Sequence, residues 1–135
     1  MKKIQFLGAA GDVTGSSYLL TGNDNTQVLV DFGMFQGPKA MADLNYEPLK
    51  FSPRNLKGII LTHAHLDHCG RLPLLVFNGF FGKIYMTAPT FALASVVLFD
   101  AAKVAQEKLD REPLYTPDEV EKTLGMEKGS RSNFS

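Results

Sequence analysis

His63, His65, Asp67, His68 and Cys69 stand within seven consecutive residues, and they include every histidine and the only cysteine of the chain. Neutral imidazole and carboxylate are the donors that suit zinc and its first-row neighbours. If the backbone stays extended from Thr62 to Asp67, side chains alternate in direction, so His63, His65 and Asp67 share one face. His68 breaks that period and requires the chain to turn, which a helix beginning near Asp67 provides. Two donors can then grip one ion and two another. A pair of ions about 3.5–4 Å apart can hold a bridging hydroxide and clamp the attacking and leaving oxygens of a displacement. The plainer alternatives are a surface loop rich in histidine, or imidazoles satisfied by core hydrogen bonds. Confinement of all three histidines to one hexapeptide favours the metal reading.

Neighbouring residues are read by the same geometry. Successive side chains on a helix diverge by ~100°, so Cys69 cannot easily share an ion with His68 and reads as a small buried thiol. Arg71 fits either a phosphate contact beside the metals or a solvated helix position. Upstream, Asp31 ends an apolar strand, where it fits a direct catalytic role or a cap on the following loop. Asp67 and Asp31 are the two carboxylates that stand as candidates for a catalytic role. The glycine-rich GDVTGSS offers Asp12, Thr14, Ser16 and Ser17 as polar groups and a backbone that a ligand can approach closely, or is simply a turn.

These residues must be held by ordered elements. Lys2–Leu7, Tyr18–Thr21 and Val28–Asp31 read as a β-meander, with Gly22-Asn23-Asp24-Asn25 as a hairpin turn. Gln36–Arg54 reads as irregular, with one helical turn around Ala40–Asn45. Strand Gly58–Leu61 delivers the histidine loop, Arg71–Phe77 is a short helix with Pro73 in its first turn, and Lys83–Met86 is another strand. The longest helix begins at Pro89 with Thr90 as N-cap, and Leu93, Val96, Val97, Val104 and Leu109 form its core stripe. Thr116-Pro117-Asp118-Glu119 opens a second helix that Gly125 ends. The alternation of strands and helices predicts an α/β (α+β) fold with helices packed on a sheet.

The loop THAHLDHCGRLP resembles the HxHxDH signature of the metallo-β-lactamase fold. With Gly8–Leu20 (GAAGDVTGSSYLL) and Leu29–Pro38 (LVDFGMFQGP), the resemblance narrows to the β-CASP branch of RNA-processing nucleases and runs from about Ile4 to Leu124. It implies that residues 1–125 are the first half of an αββα sandwich, truncated before its second half, and that 126–135 are a flexible or non-native tail. It implies two zinc ions, His63 and His65 holding one, Asp67 and His68 the other, with Asp31 orienting the loop. It implies RNA as substrate. The family completes this site with two later histidines, a bridging aspartate and a further histidine as general acid. No histidine outside the loop exists in these 135 residues, so the resemblance implies weak metal binding and little hydrolysis by this stretch alone. The missing half, or another chain such as a second copy in a homodimer, would cover the exposed sheet. The rival readings are another hydrolase of the same fold (thioester, glyoxalase or lactam type), or an inactive truncated module that binds metal weakly or associates with a partner.

Composition sets the remaining bounds. Fourteen basic residues balance fourteen acidic ones, so any RNA contact must come from a local patch or from the metals rather than a global field. One cysteine excludes an internal disulfide and fits a reducing compartment, and no run of ~20 apolar residues suggests a membrane span. Cytoplasm is the expected location.

Overall fold

In a computed structural model, which describes residues 2–8, 15–108 and 111–128, six strands form one sheet in sequence order. Strands β1 (Lys3–Phe6), β2 (Tyr18–Thr21) and β3 (Gln27–Val30) form the expected antiparallel meander. Strands β4 (Leu56–Ile60), β5 (Lys83–Tyr85) and β6 (Glu127–Lys128) continue the sheet in parallel. The meander turn closes as its residues dictate: Asn25 takes a positive φ of 68°, and Asp24 Oδ1 accepts from the Thr26 N–H at 3.0 Å. The helices are α1 (Lys39–Ala42), α2 (Leu66–Cys69), α3 (Leu72–Phe77), α4 (Ala88–Gln106) and α5 (Pro117–Leu124).

The two faces of the sheet have different fates. Across β2 to β5 the register aligns Leu19, Leu29, Ile59 and Ile84 in one row. All four are buried in a core shared with Ala94, Leu98 and Ala102 of α4 and Val120 of α5. The opposite row aligns Phe6, Tyr18, Val30, Ile60 and Tyr85. Phe6 is 50% exposed and Tyr85 47%, and Ile4, Tyr18 and Ile60 are exposed beside them. Period-2 alternation normally places polar residues on an uncovered face. Here both rows are apolar, as in a sheet with layers on both sides.

Three expectations about the longest helix change. Its N-cap is Thr87, whose hydroxyl accepts from the Thr90 N–H, rather than Thr90 itself. Of the stripe, Leu93, Val96 and Val104 face outward, Leu93 being 61% and Val96 68% exposed, and Val97 packs half-buried against the core, while Ala94, Leu98 and Ala102 pack inward. Leu109 lies outside the described residues. Two sets of apolar residues share the helical spacing, and the one that includes two alanines and Leu98 lines the closely packed side. Finally, by length and composition alone α4 is apolar enough to cross a membrane, contrary to the expectation of no such run. Its inner stripe nevertheless belongs to the core shared with the sheet.

Helix α5 starts as read: the Glu119 carboxylate accepts from both the N–H and the hydroxyl of Thr116, at 2.7 and 2.8 Å. Those bonds hold Glu119 below the usual carboxylate range. Order then continues past Gly125, where a tail was expected to begin at Met126. The Met126 carbonyl accepts from the Ile84 N–H at 2.9 Å, and Glu127 and Lys128 pair with β5. The rest of the tail, 129–135, lies outside the described residues.

Candidate metal centre

Strand β4 lies between β3 and β5, so its C-terminal end opens beside the end of β3. There Asp31 takes φ 62°, a left-handed conformation that aspartate tolerates better than most side chains. Its N–H still bonds Ile60 O at 2.8 Å, while the kink turns its buried carboxylate toward the first residues after β4. Oδ1 accepts from the Thr62 N–H at 2.8 Å. Oδ2 accepts from the Thr62 hydroxyl at 2.6 Å and from His68 Nδ1 at 2.8 Å. Asp31 is thus tied to the loop by three hydrogen bonds, two to Thr62 and one to His68.

The chain after Asp31 acts as a strap under that loop. Phe32 donates to His68 O and receives from the Arg71 N–H, both at 2.9 Å. Met34 donates to Leu66 O at 2.7 Å, and Gly33 donates to Ser16 O at 3.0 Å. Ser16 in turn donates to Asp67 O at 2.9 Å. Three segments far apart in sequence are therefore laced together through their backbones. Gly33 has to be glycine: a Cβ there would stand 1.7 Å from Asp67 O and 2.2 Å from its carbonyl carbon. Asn45 fixes the far end of the strap, its amide bonding both the N–H and the carbonyl of Phe35 at 2.8 and 2.9 Å. Tyr115 ties the segment before α5 to the loop by donating to Gly70 O at 2.6 Å.

Within the loop the extended run ends sooner than expected. His65 is extended and caps α2, so Asp67 and His68 lie in its first turn. Asp67 therefore does not follow the alternation of His63 and His65. The side chains nonetheless gather on one rim. The rings of His63 and His65 lie nearly parallel with centroids 6.2 Å apart, and those of His63 and His68 are 4.6 Å apart. His68 Nε2 is 3.8 Å from Asp67 Oδ2.

Cys69 is fully buried, with its thiol donating to Ala64 O at 3.3 Å. Burial first, and then the charges of Asp31 and Asp67, push its pKa up to about 12, so it is an inert filler. Arg71 is not a solvated residue. It is buried, its guanidinium stacks over Phe32 and Phe35 at 4.0 and 4.6 Å, and Nε donates to Gly33 O at 2.6 Å. Burial lowers its pKa to about 10. Of the glycine-rich loop, Ser16 contributes backbone bonds and Ser17 is buried, while Asp12 and Thr14 lie outside the described residues.

The family model described as the metallo-beta-lactamase superfamily matches residues 10–131. The chain belongs to the metallo-beta-lactamase superfamily. It is 45% identical over 118 residues to ribonuclease TTHA0252 of Thermus thermophilus, a match covering 87% of this chain and 26% of that protein. It is 38% identical over 130 residues to the transcription termination factor FttA of Pyrococcus horikoshii, covering 90% of this chain and 20% of the relative. It is also 36% identical to an Integrator complex subunit 11 homolog of Dictyostelium discoideum, covering 84% and 16%. The chain thus spans about a quarter or less of the length of these curated relatives. Among solved structures, a mutant metallo-beta-lactamase of Cronobacter sakazakii superposes with a TM-score of 0.50 at 22% identity, over 84% of this chain and 42% of that one. That likeness is one of fold.

The superfamily binds metal ions, and the residues present meet that requirement in part. The donor types are right, and Asp31 engages His68 at Nδ1, leaving Nε2 toward the rim. Yet among the described residues no three histidine, cysteine, aspartate or glutamate side chains converge to hold one ion. A catalytic zinc takes three protein ligands and a water. Among the described residues the loop does not close a metal site by itself.

Proposed function

We propose that this chain supplies the histidine loop of a zinc-dependent hydrolase acting on RNA phosphodiesters, of the β-CASP ribonuclease kind. The observation that carries the reading is the gathering of His63, His65, Asp67 and His68 on one rim, backed by Asp31. The ribonuclease named among its relatives supports the choice of RNA over thioester, glyoxalase or lactam substrates. When bound, zinc lowers the pKa of a coordinated water to ~7 and so supplies hydroxide at neutral pH. The chain's own residues do the holding: His63 and His65 on one side, Asp67 and His68 on the other, with Asp31 setting the direction of His68. The catalytic part read into Asp31 is thereby one of orientation. Ligands beyond these complete the site from outside this stretch.

Calorimetric titration with zinc tests the reading. The wild-type chain is expected to bind zinc weakly, His63→Ala to bind it at least tenfold more weakly still, and neither to hydrolyse bis-p-nitrophenyl phosphate. Two tight ions per chain would overturn the half-cradle, and indifference to His63→Ala would overturn the metal role.

One observation favours a second reading, an inactive module that works by association. The bare row of Phe6, Tyr18, Ile60 and Tyr85 is a contiguous apolar patch of the kind that seeks cover. Light scattering of the isolated chain is expected to show dimers or larger species, reduced by Phe6→Glu combined with Ile60→Lys. A stable wild-type monomer would count against it.

A further inference from the structure

We propose that Thr62 is a positioning residue that carries the influence of Asp31 to a second histidine, fixing the tautomer and ring direction of His63. The Thr62 hydroxyl lies 2.6 Å from Asp31 Oδ2 and 3.0 Å from His63 Nδ1. A hydroxyl has one proton to give, and a carboxylate can only accept. The shorter bond, to the carboxylate, therefore takes the Thr62 proton, and the hydroxyl oxygen must accept from His63. His63 then carries its proton on Nδ1 and turns a bare Nε2 toward the rim. His68 donates from Nδ1 to the same Asp31 oxygen at 2.8 Å, so it too presents Nε2. One buried carboxylate thus sets two imidazoles alike, one directly and one through a hydroxyl.

The backbone of Thr62 is held separately, its N–H bonding Asp31 Oδ1 at 2.8 Å. The hydroxyl can therefore be removed while the main chain keeps its anchor. His65 has no such link to Asp31 among the described contacts, and the relay distinguishes His63 from it. The inference deepens the metal reading, because fixing which nitrogen is bare is what a ligating histidine requires.

Nitrogen-15 NMR of the neutral imidazoles in the whole chain, without metal, tests it. In the wild type, His63 and His68 should both show a protonated Nδ1 and an unprotonated Nε2. In Thr62→Val, the His63 Nδ1 signal should move toward the unprotonated region while His68 stays put, and Thr62→Ser should restore it. A wild-type His63 protonated on Nε2 would overturn the relay whatever the variants do. So would a His63 tautomer unaltered by Thr62→Val in a chain whose His68 signal shows the loop intact. A zinc titration of the same variants separates this from the function reading. A loss of about tenfold in affinity for Thr62→Val, absent in Thr62→Ser, is expected. If the tautomer shifts but zinc affinity does not, the relay stands and the metal role of His63 falls.

Discussion

Gly33→Ala is expected to dismantle the histidine loop, with a loss of stability of about 3 kcal/mol or more. The added methyl would fall 1.7 Å from Asp67 O, 2.2 Å from Asp67 C and 2.8 Å from His68 N. All three are backbone atoms of α2, so no rotamer change relieves the overlap. The strap and the loop must part, and parting breaks the bonds from Phe32 to His68 and from Met34 to Leu66. Arg71 would also lose its acceptor on Gly33, stranding a buried guanidinium. Gly125→Ala is the control, because its new Cβ would meet nothing nearer than 3.4 Å. Denaturant unfolding of the two variants checks the expectation. Equal midpoints would mean that the strap does not press on the loop.

Asp31→Ala should be nearly as damaging, for a different reason. It leaves the Thr62 N–H, the Thr62 hydroxyl and His68 Nδ1 without their shared acceptor. Hydrogen bonds to a charged group contribute about 1.5–3 kcal/mol each, but Thr62 and His68 are near enough to solvent to recover part of that. A net loss of about 3 kcal/mol is expected, with zinc affinity down about 10–100-fold. Alanine at φ 62° adds backbone strain of about 1–2 kcal/mol. Asp31→Gly removes that strain while still lacking the carboxylate, so the difference between the two variants reports the strain less the greater backbone entropy that glycine loses on folding. Asp31→Asn keeps one acceptor oxygen and should fall between them in zinc affinity. If Asp31→Ala matched the wild type in both measurements, the carboxylate would not be what organises the loop.

How much of this was legible beforehand depends on how local the signal is. The meander, the hairpin turn and the cap at Thr116 were readable because each is decided by residues within a few positions of one another. So was the histidine loop, whose donors announce themselves by type. The roles of Arg71 and Gly33 were not, because both depend on segments more than thirty residues away: a buried guanidinium between Phe32 and Phe35, and a glycine against Asp67. Thr62 gave only a faint sign, a hydroxyl residue just before the first histidine. Helix α4 misled because apolar residues on two of its faces match the helical period, and the packing used the face of Ala94, Leu98 and Ala102. Strand β6 was missed because Glu127 and Lys128 have no strand pattern of their own and are recruited by β5.

The lacing of three distant segments also fixes an order of events in folding. The meander of β1 to β3 pairs neighbours in sequence and can form as soon as it exists. The histidine loop cannot, since Thr62 and His68 reach back 31 and 37 residues to Asp31. Closing spans of that length is an entropic cost met before any contact repays it. The histidine loop is therefore expected to close after the meander, on a scaffold already assembled.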